Sequence, residues 1–178
     1  MEITIQELNP QNVCYANTFD GTCYIDSRLC LNAENGQISY TINPAPGYTK
    51  PYLYDAIDYT TYIDDLDKTI FFAFTDGQAA GQIILRKNWN RYAYIEDIVV
   101  DARRRKQGIG EALLSRAIQW AKSKNLPGIM LETQNDRVSA CRLYARCGFQ
   151  LGGFDSLLYK GINPDSQEIA LFWYLIFR

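Results

Sequence analysis

The amino-acid sequence predicts an α+β fold, a mixed sheet with two helices packed late in the chain. Strand-like runs separated by short turns occupy residues 70–100. An amphipathic stretch follows, in which Leu113, Leu114, Ala117, Ile118 and Ala121 recur at helical spacing. From there the pattern runs strand, helix, strand, strand to the end of the chain.

In order, Met1–Leu8 is expected as a first strand, since the Ile-Thr-Ile run alternates with polar neighbours. Gln37–Ile42 is expected as a second, and the Asn, Asp and Gly punctuation between them reads as loop. Residues 44–51 form a turn-rich connector, and residues 52–68 a short helix or an ordered loop. Ile70–Thr75 and Gln78–Leu85 pair about an Asp76-Gly77 hairpin turn. Asn88–Arg91 makes a second turn into Tyr92–Val100, whose Tyr94, Glu96, Ile98 and Val100 are expected on one face. Gly110–Asn125 is a helix, Ile129–Thr133 a strand, and Val138–Arg146 a helix stopped by Gly148. Strands close the chain at Gln150–Lys160 and Glu168–Phe177. No internal repeat or linker interrupts this pattern, so residues 1–178 read as one domain.

Composition narrows the function. A net charge of −2 disfavours non-specific nucleic-acid binding, which needs an excess of Lys and Arg. No run of apolar residues is long enough to span a membrane, and the first residues lack a signal-peptide pattern. The five cysteines contain no CxxC pair, which fits reduced thiols in a cytoplasmic protein and no metal site. Histidine is absent, which removes Ser-His-Asp and Cys-His catalysis and most catalytic zinc sites. Any acid or base must be Asp, Glu, Tyr, Lys, Cys or water.

The chemistry concentrates after the strand ending at Val100. There a basic loop, Arg103-Arg-Arg105-Lys106-Gln107-Gly108-Ile109-Gly110, leads into a helix. Glycines let the backbone approach a ligand, and the first helix amides have no intrahelical acceptor, so the loop can cradle an anion such as a pyrophosphate. A Rossmann fingerprint would need a small residue where Leu113 stands, and a P-loop would need Gly-Lys-Ser/Thr, which is missing. A solvated basic turn with a helix-starting glycine is the plainer alternative.

Arg105-x-x-Gly108-x-Gly110 after an apolar strand, with Leu143-Tyr144-x-x-x-Gly148-Phe149 downstream, resembles the signature of the GCN5-related N-acetyltransferase (GNAT) superfamily. The resemblance implies a central, mostly antiparallel sheet flanked by helices, with acetyl-CoA held between two splayed strands. It implies that the loop amides of Arg105, Lys106, Gln107, Gly108, Ile109 and Gly110 bind the pyrophosphate. Ile98, Val99 and Val100 would bond the pantetheine arm, with Asn135 and Tyr144 also at the cofactor. The runs RKNWNRYAYIEDI (86–98), MLETQN (130–135), ACRLYARCGF (140–149) and ALFWYL (170–175) are similar to the streptothricin acetyltransferases. Those enzymes acetylate an amine of the β-lysine part of a cationic antibiotic, which makes resistance the implied purpose. Residues 51–178 carry that similarity, while residues 1–50 match only loosely. One departure from the superfamily is Arg137, where Asn is common seven residues before the tyrosine.

Under this resemblance Tyr144 is the acid that protonates the departing thiolate. Glu96 and Glu132 are candidate bases, acting directly or through water. Glu132 stands twelve residues before Tyr144, a spacing similar to the base–acid pair of ribosomal-protein N-acetyltransferases. A structural ion pair is the alternative for either glutamate. The cationic substrate would meet acidic and aromatic residues of the 52–68 stretch, with Asp64, Asp65 and Asp67 foremost, together with Trp89, Asn90 and Asp97. A polyamine, a protein N-terminus or a non-catalytic acetyl-CoA-binding module are the competing readings. A homodimer is compatible with all of them.

Overall fold

The computed structural model describes residues 2–177; Met1, expected at the start of the first strand, and Arg178 lie outside them. Among the described residues the elements run β1 (Ile3–Glu7), β2 (Cys23–Glu34), β3 (Gln37–Lys50), β4 (Lys68–Thr75), β5 (Gln78–Lys87), β6 (Ala93–Val100), α1 (Ile109–Ser123), β7 (Gly128–Gln134), α2 (Val138–Arg146), β8 (Gln150–Asp155) and β9 (Ala170–Ile176). Two compact units form. The first comprises the chain up to Cys23, Pro51–Ile129 and Phe177, and the second comprises Tyr24–Lys50 and Met130–Ile176.

In the first unit β1 pairs with β4, β4 with β5 and β5 with β6, each antiparallel. Asp76 and Gly77 both take positive φ, 50° and 74°, as the two-residue hairpin between β4 and β5 requires. Helix α1 covers one face of these strands, burying Ile109, Leu113, Leu114 and Ala117. On the other face Leu8, Phe19, Tyr59 and Tyr62 pack against Ile70, Phe72, Ile84 and Val99. With both faces covered, β4 reads as an unbroken apolar run, Ile70-Phe-Phe-Ala-Phe, rather than an alternating one. Gly81 permits a close approach of β5 and β6: a Cβ there would lie 2.6 Å from the carbonyl oxygen of Val99.

A bulge corrects the expected face of β6. Ile84 pairs with Asp97 but Leu85 pairs with Ile95, so Glu96 is an extra residue on β6. Directly paired residues share a face. Asp97 and Val99 therefore lie with Ile84 and Gln82, whereas Ile98 and Val100 lie with Ile83 and Gly81. Tyr94, Ile98 and Val100 do not form one row.

In the second unit β2 and β3 make a two-stranded ribbon through Asn35-Gly36, with φ of 51° and 76°. This corrects the loop expected between residues 9 and 36 and the connector expected at 44–51. Pro44 and Pro46 are tolerated because both strands of a two-stranded ribbon are edges. The remaining strands run in the order β7-β9-β8, with β8 and β9 antiparallel. The strand expected to reach Lys160 ends at Asp155, whose carboxylate accepts the N–H groups of Leu157 at 2.7 Å and Leu158 at 3.1 Å. These bonds start a 3-10 turn over Leu158–Gly161.

Candidate functional site

The basic loop of the first unit is built by its own side chains. Asp101 follows β6 and accepts from the Arg103 amide at 3.1 Å and the Arg103 Nε at 3.0 Å. The Arg103 side chain holds the Asp101 carboxyl down at about 2. Arg105 donates to the carbonyl oxygens of Val100 at 3.2 Å and Thr22 at 2.7 Å. Its guanidinium thus fixes the loop, and Lys106, beside the Asp101-paired Arg103, is exposed at the surface. Lys106 and Gly108 both take positive φ, 61° and 82°, which turns the chain into α1. The first intrahelical bond runs from Ala112 to the Gly108 carbonyl at 3.0 Å. The amides of Ile109 and Gly110 therefore have no acceptor within the helix. A buried Gln107 Oε1 has no hydrogen-bond partner among the described residues. Unmatched helix amides, a left-handed turn and a surface cation suit an anionic ligand with phosphate groups.

A second feature of this unit is a cavity of about 340 Å³ on the face of β5 and β6. Tyr52, Tyr54, Tyr59, Tyr62 and Tyr94 line it, together with the carboxylates of Asp55, Glu96 and Asp97. Tyr62 donates to Glu96 at 2.8 Å, and Arg86 Nε donates to the other oxygen at 2.8 Å. Arg86 also lies over the Tyr94 ring, 4.8 Å from its centroid. Asp97 accepts from the hydroxyl of Tyr52 and from Gln82 Nε2 at 2.7 Å, and burial pushes its carboxyl up. Burial likewise raises the hydroxyls of Tyr54 and Tyr62, which keeps both as neutral donors.

The other residues expected at the substrate lie elsewhere. Asp64, Asp65 and Asp67 form the turn before β4 and do not line the cavity. Asp65 accepts from the amides of Asp67 at 2.8 Å and Lys68 at 3.1 Å, and Asp67 pairs with Lys87 at 3.6 Å. Trp89 is 90% exposed at the β5–β6 turn, where the Asn90 side chain accepts from the Tyr92 amide at 3.3 Å.

In the second unit Tyr144 is buried on α2, its ring 5.9 Å from Phe149 and 6.3 Å from Trp173. Glu132 on β7 accepts from the Tyr159 hydroxyl, and burial pushes its carboxyl up. Asn135 is 5% exposed and stitches backbone: Nδ2 donates to Leu29 at 3.2 Å and Oδ1 accepts from Ile169 at 3.0 Å. Beside it Asp136 accepts from Tyr48 and from Lys50, each at 2.8 Å. Arg137 precedes α2 without capping it through its side chain.

Sequence reasoning missed the partners that hold the carboxylates: Tyr62 and Arg86 at Glu96, Tyr52 and Gln82 at Asp97, and Tyr159 at Glu132.

Residues 37–149 match the Acetyltransferase (GNAT) family. Streptothricin acetyltransferase A of Bacillus subtilis (strain 168) is 43% identical over 151 residues, which is 84% of this chain and 86% of that protein. A Bacillus anthracis str. Ames protein, crystallised in complex with acetyl coenzyme A, is 45% identical; the match has a TM-score of 0.93 and covers 99% of this chain and 100% of that one. The crystal structure of nourseothricin acetyltransferase is 27% identical, with a TM-score of 0.82 and 99% of each chain covered.

Proposed function

The chain belongs to the acetyltransferase (GNAT) family and is an acetyl-CoA-dependent N-acetyltransferase, and from that premise we propose that its acceptor is a primary amine of the β-lysine moiety of streptothricin. The observation that carries the acceptor is the cavity of tyrosine rings and carboxylates in the first unit. Aromatic faces and carboxylates together attract a multiply charged cation. The 43% identity to a streptothricin acetyltransferase over most of both chains supports the same acceptor.

Bound acetyl-CoA supplies a thioester carbonyl for the amine to attack. Its phosphates suit the amides of Ile109 and Gly110 and the exposed Lys106. An alkyl ammonium with a pKa near 10.4 is free amine in only roughly one molecule in a few thousand at pH 7. The enzyme must therefore help remove a proton, and Glu96 and Glu132 are the candidate bases, directly or through water. Glu96 is oriented by its 2.8 Å ion pair with Arg86. Burial raises the Glu132 carboxyl, which makes it a stronger proton acceptor than an exposed glutamate. Tyr144 is the proposed proton donor to the sulfur. Side-by-side Glu96→Gln and Glu132→Gln variants distinguish the two bases.

None of the five cysteines is in a disulfide, which supports residence in a reducing cytoplasm. No helix among the described residues is long and apolar enough to cross a membrane. The acceptor is tested by incubating the enzyme with acetyl-CoA and streptothricin and fragmenting the product by mass spectrometry. One added acetyl group on a β-lysine nitrogen is the expected result. An unmodified antibiotic, or an acetyl group elsewhere on it, overturns the assignment.

A further inference from the structure

Residues 51–58 carry no regular secondary structure, yet they supply Tyr52, Leu53, Tyr54, Asp55 and Ile57 to the wall of the cavity. Such a segment keeps a fixed wall only where side chains tie it to the rest of the unit. Three ties are present. Asn17 Nδ2 donates to the Asp55 carbonyl at 3.4 Å. The Tyr54 hydroxyl donates to the Phe19 carbonyl at 2.8 Å. The Tyr52 hydroxyl donates to Asp97, which is itself held by Gln82 at 2.7 Å. Gln82 is fully buried and exchanges further bonds with Asn17, whose Nδ2 donates to the hydroxyl of Tyr59 at 2.9 Å.

An independent observation concerns Gly21. A Cβ at this buried position would lie 2.5 Å from Tyr52 Cγ and 2.7 Å from Tyr52 Cβ. Those atoms are the stem of the ring, not a flexible end, so any larger residue moves Tyr52 bodily. Gly21 has no positive φ, so an alanine there acts through this contact rather than through backbone strain.

We propose that Tyr52, seated in the space left by Gly21 and bonded to Asp97, is a positioning residue that latches the 51–58 segment over the acceptor cavity. It acts through the wall that it holds, and Asp97 acts as the anchor on the sheet. This rests on the assignment of the cavity to the acceptor. Asp97 is already engaged by Tyr52 and Gln82, and Glu96 by Tyr62 and Arg86, which leaves Asp55 as the lining carboxylate that faces an incoming cation.

The test uses Tyr52→Phe and Gly21→Ala, which reach the latch from opposite sides, with thermal melting to establish that each is folded. Hydrogen exchange of the amides in residues 53–57 reads the latch without any substrate. Both variants are expected to speed that exchange. Both should raise KM for streptothricin roughly tenfold, the scale of one hydrogen bond to a charged group. KM for acetyl-CoA should stay unchanged. Because both changes release the same tie, the Tyr52 hydroxyl bond to Asp97, the double variant should cost less than the sum of the single ones. Unchanged exchange in both variants overturns the latch. Faster exchange with an unchanged streptothricin KM overturns its role in positioning the acceptor. If the parent enzyme fails to acetylate streptothricin, the acceptor assignment falls instead, and exchange still decides whether the latch exists.

Discussion

Phe149 donates its backbone N–H to the carbonyl oxygen of Tyr144 at 3.0 Å, closing the last turn of α2. Gly148, at φ 88°, makes the reversal and donates to Ala145 at 3.1 Å, so the two bonds form a Schellman cap. The Phe149 ring then returns against the Tyr144 ring. The run Leu143-Tyr144-x-x-x-Gly148-Phe149 is therefore one device: a glycine stop and an aromatic clamp that hold a single phenol in place.

Tyr144→Phe keeps that clamp and removes only the hydroxyl. It should lower kcat by about 10²- to 10⁴-fold, the usual range for general acid catalysis, with little effect on KM for acetyl-CoA. Stability should change by no more than about 1–2 kcal/mol. Steady-state kinetics and denaturant unfolding check the two halves, and a kcat loss below threefold would make Tyr144 a packing residue.

Gly108 takes φ 82° at the start of α1. Gly108→Val forces a β-branched residue into the left-handed region, a penalty of about 1–2 kcal/mol, and places a side chain beside the helix amides. Calorimetry should find acetyl-CoA binding weakened at least tenfold while α-helical circular dichroism is retained. Binding as tight as the parent's would remove the loop from the cofactor site.

The loop's acid behaviour follows from Asp101, lowered from 3.8 to about 2 by its bonds to Arg103. A lowered carboxyl stabilises the fold above its unfolded value and loses that contribution as pH falls through the folded one. Asp101→Asn should therefore reduce the melting temperature at neutral pH. It should also flatten the fall between pH 3.8 and about 2. Thermal melts across that range decide it, and parallel curves for parent and variant would contradict the assignment.

Much of this was readable beforehand. The Asp76-Gly77 hairpin, the amphipathic α1 and the glycine stop of α2 each depend on a local rule that tertiary packing did not override. Of the β2–β3 ribbon only Gln37–Ile42 was legible as strand: β2 reads as loop for its Asn, Asp and Gly residues although Asn35-Gly36 is a strong hairpin signal, and Pro44, Pro46 and Gly47 argue locally against the rest of β3. The bulge at Glu96 has no residue-type signature, since a glutamate serves equally in a regular strand. Asn135 drew attention as a polar residue near the cofactor motif, but its amide bonds to backbone groups distant in sequence, which no local pattern encodes.

The acidic stretch divides into two sets with different expectations. Asp55 lines the cavity, whereas Asp64, Asp65 and Asp67 lie in the turn before β4. Asp55→Asn should raise KM for streptothricin several-fold, and the triple Asn variant at the other three should change it by less than about twofold. KM should also rise with ionic strength as the attraction is screened. The reverse ranking in kinetic assays would move the acceptor to the turn.

Coenzyme A release, measured side by side with streptothricin, spermidine and an N-terminal peptide, is the most direct measurement of what the enzyme acetylates. Streptothricin should be turned over with a kcat/KM at least about 10²-fold above either alternative, a gap of about 2.7 kcal/mol in transition-state binding. Release no faster with streptothricin than without any acceptor, alongside turnover of spermidine or the peptide, would contradict it.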